Sequence, residues 1–275
     1  MQRILTAAIA LPFLISSILI SRLQPLFVLL VAAGLTLGLL EFWKLAKRRG
    51  LKPDIAAGYL AAAAIVTIFY FNEPGQDAFS MFLLLATLIV LTIASLAAAT
   101  FRGAPFDNMI ASTGATVLGV LYVALLGSHL VALRSGFSQR LSAHLLSFFL
   151  LVVLGSDTGA YYVGRAFGKH KLAPKISPGK TWEGAAGGLL AGLLAAVLSH
   201  LWFFRELPWK WTLPLATVMV LLGIVGDLTE SALKRSAGAK DAANILPGHG
   251  GVLDRLDSLL FNAPVIYYFA RIYFQ

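Results

Sequence analysis

Between residues 231 and 257 the chain reads SALKRSAGAKDAANILPGHGGVLDRLD. The stretch gathers Lys234, Arg235, Lys240 and Arg255 with Asp241, Asp254, Asp257 and His249, and breaks at Pro247-Gly248 and Gly250-Gly251. Hydrophobic runs flank it on both sides, and a charge beside lipid needs a partner, water or a ligand. Asp227 lies just upstream, at the end of LLGIVGD. If that helix continues, Asp227, Ser231 and Lys234 fall on one face. Asp254 and Asp257 are three apart, so a helix restarting after Gly251 puts both on one side. The break at 247–251 can fold the two carboxylate groups toward each other. Carboxylates gathered with lysines and arginines suit a hard divalent cation that holds a phosphate. The ordinary alternative is a solvated loop of positive-inside charge; acids at membrane depth weigh toward function.

A second basic stretch, 164–183, carries Arg165, Lys169, His170, Lys171, Lys175 and Lys180. It ends in Ser177-Pro178-Gly179-Lys180-Thr181, which has the look of a P-loop tail. The first glycine of that motif is replaced by Pro174 and no preceding strand is expected, so a Walker fold is rejected. Lys175, Ser177, Lys180 and Thr181 still stand just before a helix N-terminus, a natural anion site. A second positive-inside loop is the plainer reading, and the two are compatible. Asp157 follows a long apolar run, where an aspartate costs about 2.5–3.5 kcal/mol unless paired or wet. A place in or beside the site is favoured for it over a helix end reaching water. His129 and His144 are read as loop or interfacial histidines rather than metal ligands.

The residues Ser231, Lys234-Arg235, Lys240-Asp241, Pro247-Gly-His-Gly-Gly251 and Asp254-Arg-x-Asp257 resemble the signature of the phosphatidate cytidylyltransferases, without a gap over 231–257. The stretch 156–184 is also similar to that family, whereas residues 1–150 resemble it only in hydrophobicity and length. The resemblance implies transfer of the cytidylyl group of CTP to phosphatidic acid, giving CDP-diacylglycerol and pyrophosphate in phospholipid biosynthesis. On it, Asp227, Lys234, Asp254 and Asp257 are the expected catalytic residues. Asp227 and Asp254 are the best Mg²⁺ ligands, with Asp257 supporting them or sharing a second cation. Ser231, Arg235, Lys240, His249 and Arg255 are expected on the substrate side, with Lys175, Ser177, Lys180 and Thr181 closing the nucleotide site from the other loop. For His249 a structural role in the turn is nearly as good a reading.

The elements that must position these groups are membrane helices. Of 275 residues, 58% are hydrophobic and only 13% charged, about half the ~25% of soluble domains. Mean hydropathy is +0.80. Apolar runs of about 20 residues recur throughout, and lipid admits no open sheet. The expectation is an all-α polytopic protein, one membrane domain over 1–275, with 1–150 as scaffold and 151–275 carrying the catalytic helices and loops. The chain has no cysteine, which excludes disulfides, thiolate catalysis and zinc–thiolate sites. Its net charge of +9 reads as basic loops beside an anionic leaflet, and nucleic acid is not expected as a partner.

Nine spans are expected: 4–20, 26–43, 55–71, 79–100, 109–133, 141–162, 184–204, 212–229 and 258–274. Gly184, Gly187, Gly188 and Gly192 allow close contact by the seventh. Basic loops after spans two, four, six and eight place the N-terminus and the site in the cytoplasm of an inner (plasma) membrane protein, surrounded by membrane lipids. Arg134 and Arg140 in the loop after the fifth span run against that pattern. A homodimer is compatible with the sequence. Two competing functions are a cytidylyltransferase for another lipid phosphate, such as an ether-linked one, and an ion-coupled transporter using Asp157 and Asp227. A CDP-alcohol phosphotransferase is disfavoured, because its motif begins Asp-Gly and the chain has no such pair.

The topology is testable because the chain lacks native cysteine. A single cysteine in Lys175→Cys should be labelled by an impermeant maleimide only after the membrane is opened. Labelling from the outer face of intact cells would overturn the nine-span arrangement.

Overall fold

The computed structural model describes residues 12–71, 78–103, 106–239 and 251–275. Helix α1 covers 12–19, and α2 is Gln24–Arg48. Next come α3 Ile55–Phe71, α4 Ala78–Phe101 and α5 Met109–Gly119. A π-turn at Val120–Leu125 joins α5 to α6, Leu126–Ser135. Helix α7 is Gln139–Phe167, and α8 is Trp182–Trp202. The last two are α9 Trp209–Ser236 and α10 Leu253–Phe274.

Six helices among the described residues are long and apolar enough to cross a membrane: Ser21–Arg48, Ala78–Phe101, Met109–Ser135, Gln139–Phe167, Trp182–Trp202 and Trp209–Ser236. These coincide with six of the nine expected spans. Helix α3 matches the third but has 17 residues, and α10 matches the ninth but starts with Asp254, Arg255 and Asp257. Helix α1 matches the second half of the first expected span, whose residues 4–11 lie outside the described residues.

Two differences from the sequence reading have physical causes. The stretch 164–183 is not simply a loop. Helix α7 runs on through Phe167, and β1, Lys171–Ala173, pairs antiparallel with β2, Ser177–Thr181. Pro178 sits within β2; a two-stranded ribbon has edges on both sides, so its missing N–H is tolerated. A strand therefore does precede SPGKT, but in a hairpin in which SPGKT is itself a strand, so no phosphate loop of Walker type forms. The second difference is Arg134, which is buried at the end of α6 rather than carried on a loop. Its guanidinium donates to the carbonyls of Ser17 and Ile20, each at 3.1 Å. Gln139 donates to Ile18 and Leu19. Together they satisfy the four carbonyls a helix leaves open at its C-terminus. Arg134 is thus a cap for α1, which removes it from the topological charge count.

His129 is likewise a core residue, not a loop one. It is buried on α6 beside the carbonyls of Leu125 and Leu126, its ring set edge-on against Phe69. His144 fits the interfacial reading better, with Nδ1 2.8 Å from Glu206.

The core gathers around the continuous helix 109–135, against which α2 lies very close. Cβ atoms at Gly119 and Gly127 would strike Trp43 and Leu35. Helices α7 and α8 form the second close crossing, and the expected glycines supply it. A Cβ at Gly187 would stand 2.4 Å from the Val163 Cβ, and one at Gly159 2.7 Å from the Gly187 carbonyl oxygen. This crossing brings the α7 end of the site beside the α8 N-terminus. Gly187→Ala should therefore cost about 1–3 kcal/mol through overpacking, read as a lower melting temperature in detergent. Gly114→Ala, where nothing lies within 4 Å, should hold or raise it.

Candidate active site at the helix ends

The C-terminal parts of α7 and α9, the N-terminal parts of α8 and α10, and the β1–β2 hairpin enclose a cavity of about 680 Å³. Helix α9 does not stop where its apolar run ends. It continues through Ser236, so Asp227, Glu230 and Lys234 project from one face at helical spacing. Helix α10 begins at Leu253 and presents Asp254 and Asp257 a turn apart. The two helices cross closely at Gly226, where a Cβ would meet the Asp257 carbonyl oxygen at 2.6 Å. Only glycine lets Asp227, the next residue, come so near Asp257.

Of the residues singled out in the sequence, Ser177, Lys180, Thr181, Asp227, Lys234, Asp254, Arg255 and Asp257 line this cavity, as does Asp157. Lys180 Nζ lies 2.6 Å from Asp227 Oδ2. It also faces Asp157 and Asp257, and those three carboxylates are near enough to repel one another. Lys234 Nζ lies 2.7 Å from Glu230 Oε2 and 3.1 Å from Asp254 Oδ1. Each lysine therefore sits between acids from different elements. Like-charged carboxylates at such range repel unless a cation stands between them or one takes up a proton.

Thr181 lines the cavity but also serves the backbone, and the remaining expected residues stand elsewhere. Thr181 is the N-cap of α8, its Oγ1 accepting from the Gly184 N–H at 3.1 Å. That cap uses one lone pair of its hydroxyl oxygen. Arg235 points away from the cavity; Nε donates to the Ile176 carbonyl and Nη1 to the Ala239 carbonyl, both at 3.2 Å. It ties the hairpin to the end of α9, which costs nothing in charge because carbonyl oxygens suit a guanidinium. Lys175 is exposed at the hairpin tip, and Ser231 is buried on α9 outside the lining. Lys240 and His249 lie outside the described residues.

Two carboxylates escaped the sequence reading. Glu230 is almost fully buried and precedes Lys234 by four residues, the favourable order for a helical acid–base pair. Glu183, in the first turn of α8, accepts from the N–H groups of Lys169 and His170 and lies 2.6 Å from His170 Nδ1. It fastens the turn after α7 to the start of α8.

Among the described residues no three His, Asp or Glu side chains converge closely enough to enclose a metal by themselves. That matters little for Mg²⁺, which takes one or two carboxylates and completes its shell with water and substrate phosphate oxygens. The donor set fits such an ion. It is all oxygen, it is half-buried, and its present partner at Asp227 is a single ammonium.

Comparison with known proteins bears on the whole chain. The model of the cytidylyltransferase family matches residues 1–273. A phosphatidate cytidylyltransferase of Bacillus subtilis (strain 168) is 32% identical over 280 residues, 99% of this chain and 98% of the relative. One from Pseudomonas aeruginosa is 37% identical over 273 residues, 96% and 94% of the two chains. One from Haemophilus influenzae reaches 49% over 131 residues, 46% of this chain and 45% of its own. The match extends well beyond the polar loops into the N-terminal helices, and the chain belongs to the cytidylyltransferase family.

Proposed function

We propose that this protein transfers the cytidylyl group of CTP to phosphatidic acid, releasing pyrophosphate and leaving CDP-diacylglycerol in the membrane. The observation that carries the reading is the cavity in which Lys180 and Lys234 stand among five carboxylates at the ends of four apolar helices. Full-length relatives named phosphatidate cytidylyltransferase support it. A lipid phosphate must approach from the bilayer and a nucleotide from water, so their meeting point belongs at helix ends.

In this reading the lipid phosphate oxygen attacks the α-phosphorus of CTP, and the bond to the bridging oxygen of the leaving pyrophosphate breaks. No protein nucleophile is needed, because the attacking oxygen is already ionised. The barrier lies in bringing two anions together, which positioned cations and dipoles reduce. Lys180 and Lys234 supply positive charge where the phosphates enter. The hairpin and the capped N-terminus of α8 wall the nucleotide side. Asp227 and Asp254, with Asp257 behind them, would hold Mg²⁺, which supplies charge neutralisation at the phosphates when bound. Lys180 would then exchange Asp227 for a phosphate oxygen. The site opens to the cytoplasm, as the basic stretches flanking it require under the positive-inside rule.

Protein in detergent with Mg²⁺, CTP and phosphatidic acid should release pyrophosphate and form CDP-diacylglycerol. Folded protein that is silent here, yet active on another lipid phosphate, would contradict the substrate. Chelation should abolish turnover and added Mg²⁺ restore it. Asp227→Asn and Asp254→Asn should each lower kcat by about 10²–10³-fold, while Lys44→Ala, on the exposed side of α2, should change it less than about twofold.

Lys234 serves stability as well as the site, and the two roles separate. Lys234→Met removes the partner of the buried Glu230 carboxyl and should lower the melting temperature. Adding Glu230→Gln should recover most of the melting temperature but not the turnover. Recovery of both would remove Lys234 from the site.

A further inference from the structure

Glu41 lies near the C-terminal end of the apolar stretch of α2, far in sequence from the cavity, and is completely buried. Its two side-chain oxygens are spent on two backbone donors. Oε1 accepts from the Val252 N–H at 2.9 Å and Oε2 from the Leu253 N–H at 2.7 Å. These are open donors at the start of α10, where the local sequence offers no cap: the side chain at the N-cap position is that of Val252. An acid at a helix N-terminus satisfies both the orphan N–H groups and the positive end of the helix dipole. Asp254 is the next residue.

Eight residues on, at the C-cap of α2, Arg49 donates to the carbonyl of Ser236, the last residue of α9. A cationic donor at a helix C-terminus is the complementary match. One helix of the N-terminal half therefore grips both stems of the signature stretch, with an acceptor at the start of α10 and a donor at the end of α9. Gly38, one turn before Glu41, permits the approach; a Cβ there would stand 3.3 Å from the Leu256 side chain.

We infer that Glu41 is a positioning residue for the reaction, which holds Asp254 and Asp257 in register with Lys234 and Asp227 by capping α10 from α2. The inference rests on the functional reading above. A plain structural role would need no buried carboxylate, since a serine or aspartate at position 252 would cap the helix locally. Misplacement of a reacting group by about 1 Å can cost on the order of 10²-fold in rate.

The test pairs kinetics with amide exchange by mass spectrometry, on the full chain in detergent. Glu41→Gln keeps the shape but lacks one strong acceptor; Glu41→Asp keeps the charge but falls short; Arg49→Ala removes the other grip at an exposed site. In Glu41→Gln we expect kcat to fall roughly ten- to hundredfold, with KM for CTP within about threefold, and exchange over residues 251–256 to quicken about tenfold while α7 and α8 stay protected. Glu41→Asp should fall between, and Arg49→Ala should quicken exchange over 232–239 only. Lost turnover with unchanged exchange at 251–256 would overturn the inference, as would quickened exchange with normal turnover or loosening throughout the protein. If the wild-type protein does not turn over CTP with phosphatidic acid, the functional reading fails, and exchange alone still decides whether Glu41 holds α10.

Discussion

Lys180 and Lys234 each hold together acids that come from different elements, and the arrangement of helix ends depends on them. Asp157 on α7, Asp227 and Glu230 on α9, and Asp254 and Asp257 on α10 face one cavity. Without cations between them these side chains would push α7, α9 and α10 apart. The lysines do this by different routes. Lys234 is half-buried and held by two acids, Glu230 one turn earlier and Asp254 across the helix gap. Lys180 reaches in from a two-stranded hairpin, with its ammonium at Asp227. In the proposed function, Lys180 exchanges Asp227 for a phosphate oxygen while Lys234 keeps its two acids.

The backbone at these helix ends is treated with equal care. Thr181 caps α8, Arg134 and Gln139 close α1, and Glu41 closes α10. In water many such groups would simply be solvated. In an apolar surround each open N–H or carbonyl costs several kcal/mol, so side chains are recruited from wherever the fold can supply them. This gives the N-terminal half more to do than fill volume: α2 takes part in setting the geometry of α10.

Legibility in the sequence followed the range of the interaction. The shared face of Asp227 and Lys234 and the pairing of Asp254 with Asp257 follow from helical periodicity alone. The glycines of α8 announced their close crossing because nothing else explains so many in one span. Gly226 was less visible, since its contact is the backbone of a helix some thirty residues on. The hairpin at 171–181 is hidden by Pro174, Pro178 and Gly179, which read as a loop; Pro174 falls in the turn, and Pro178 is tolerated in β2 because a two-stranded ribbon has free edges. Arg134, Arg235 and Glu41 were misjudged or passed over for one reason. Their partners are main-chain groups, and no pattern of side chains reports where the backbone of a distant segment will be open. Glu41 did carry a signal, being an acid within an apolar helix, but its place near the end of that span made solvent the simpler partner. Lys175 shows the converse, a basic residue in a suggestive motif that the hairpin turns outward.

The central claim is that this cavity holds a metal–nucleotide complex through Asp227 and Asp254. Mn²⁺ in place of Mg²⁺ makes that visible by electron paramagnetic resonance without requiring turnover. In the wild-type protein, CTP should convert free Mn²⁺ to a protein-bound signal, and the paired Asp227→Asn and Asp254→Asn changes should abolish that conversion in folded protein. Equal Mn²⁺ binding with CTP by the wild-type and doubly substituted proteins would contradict the account.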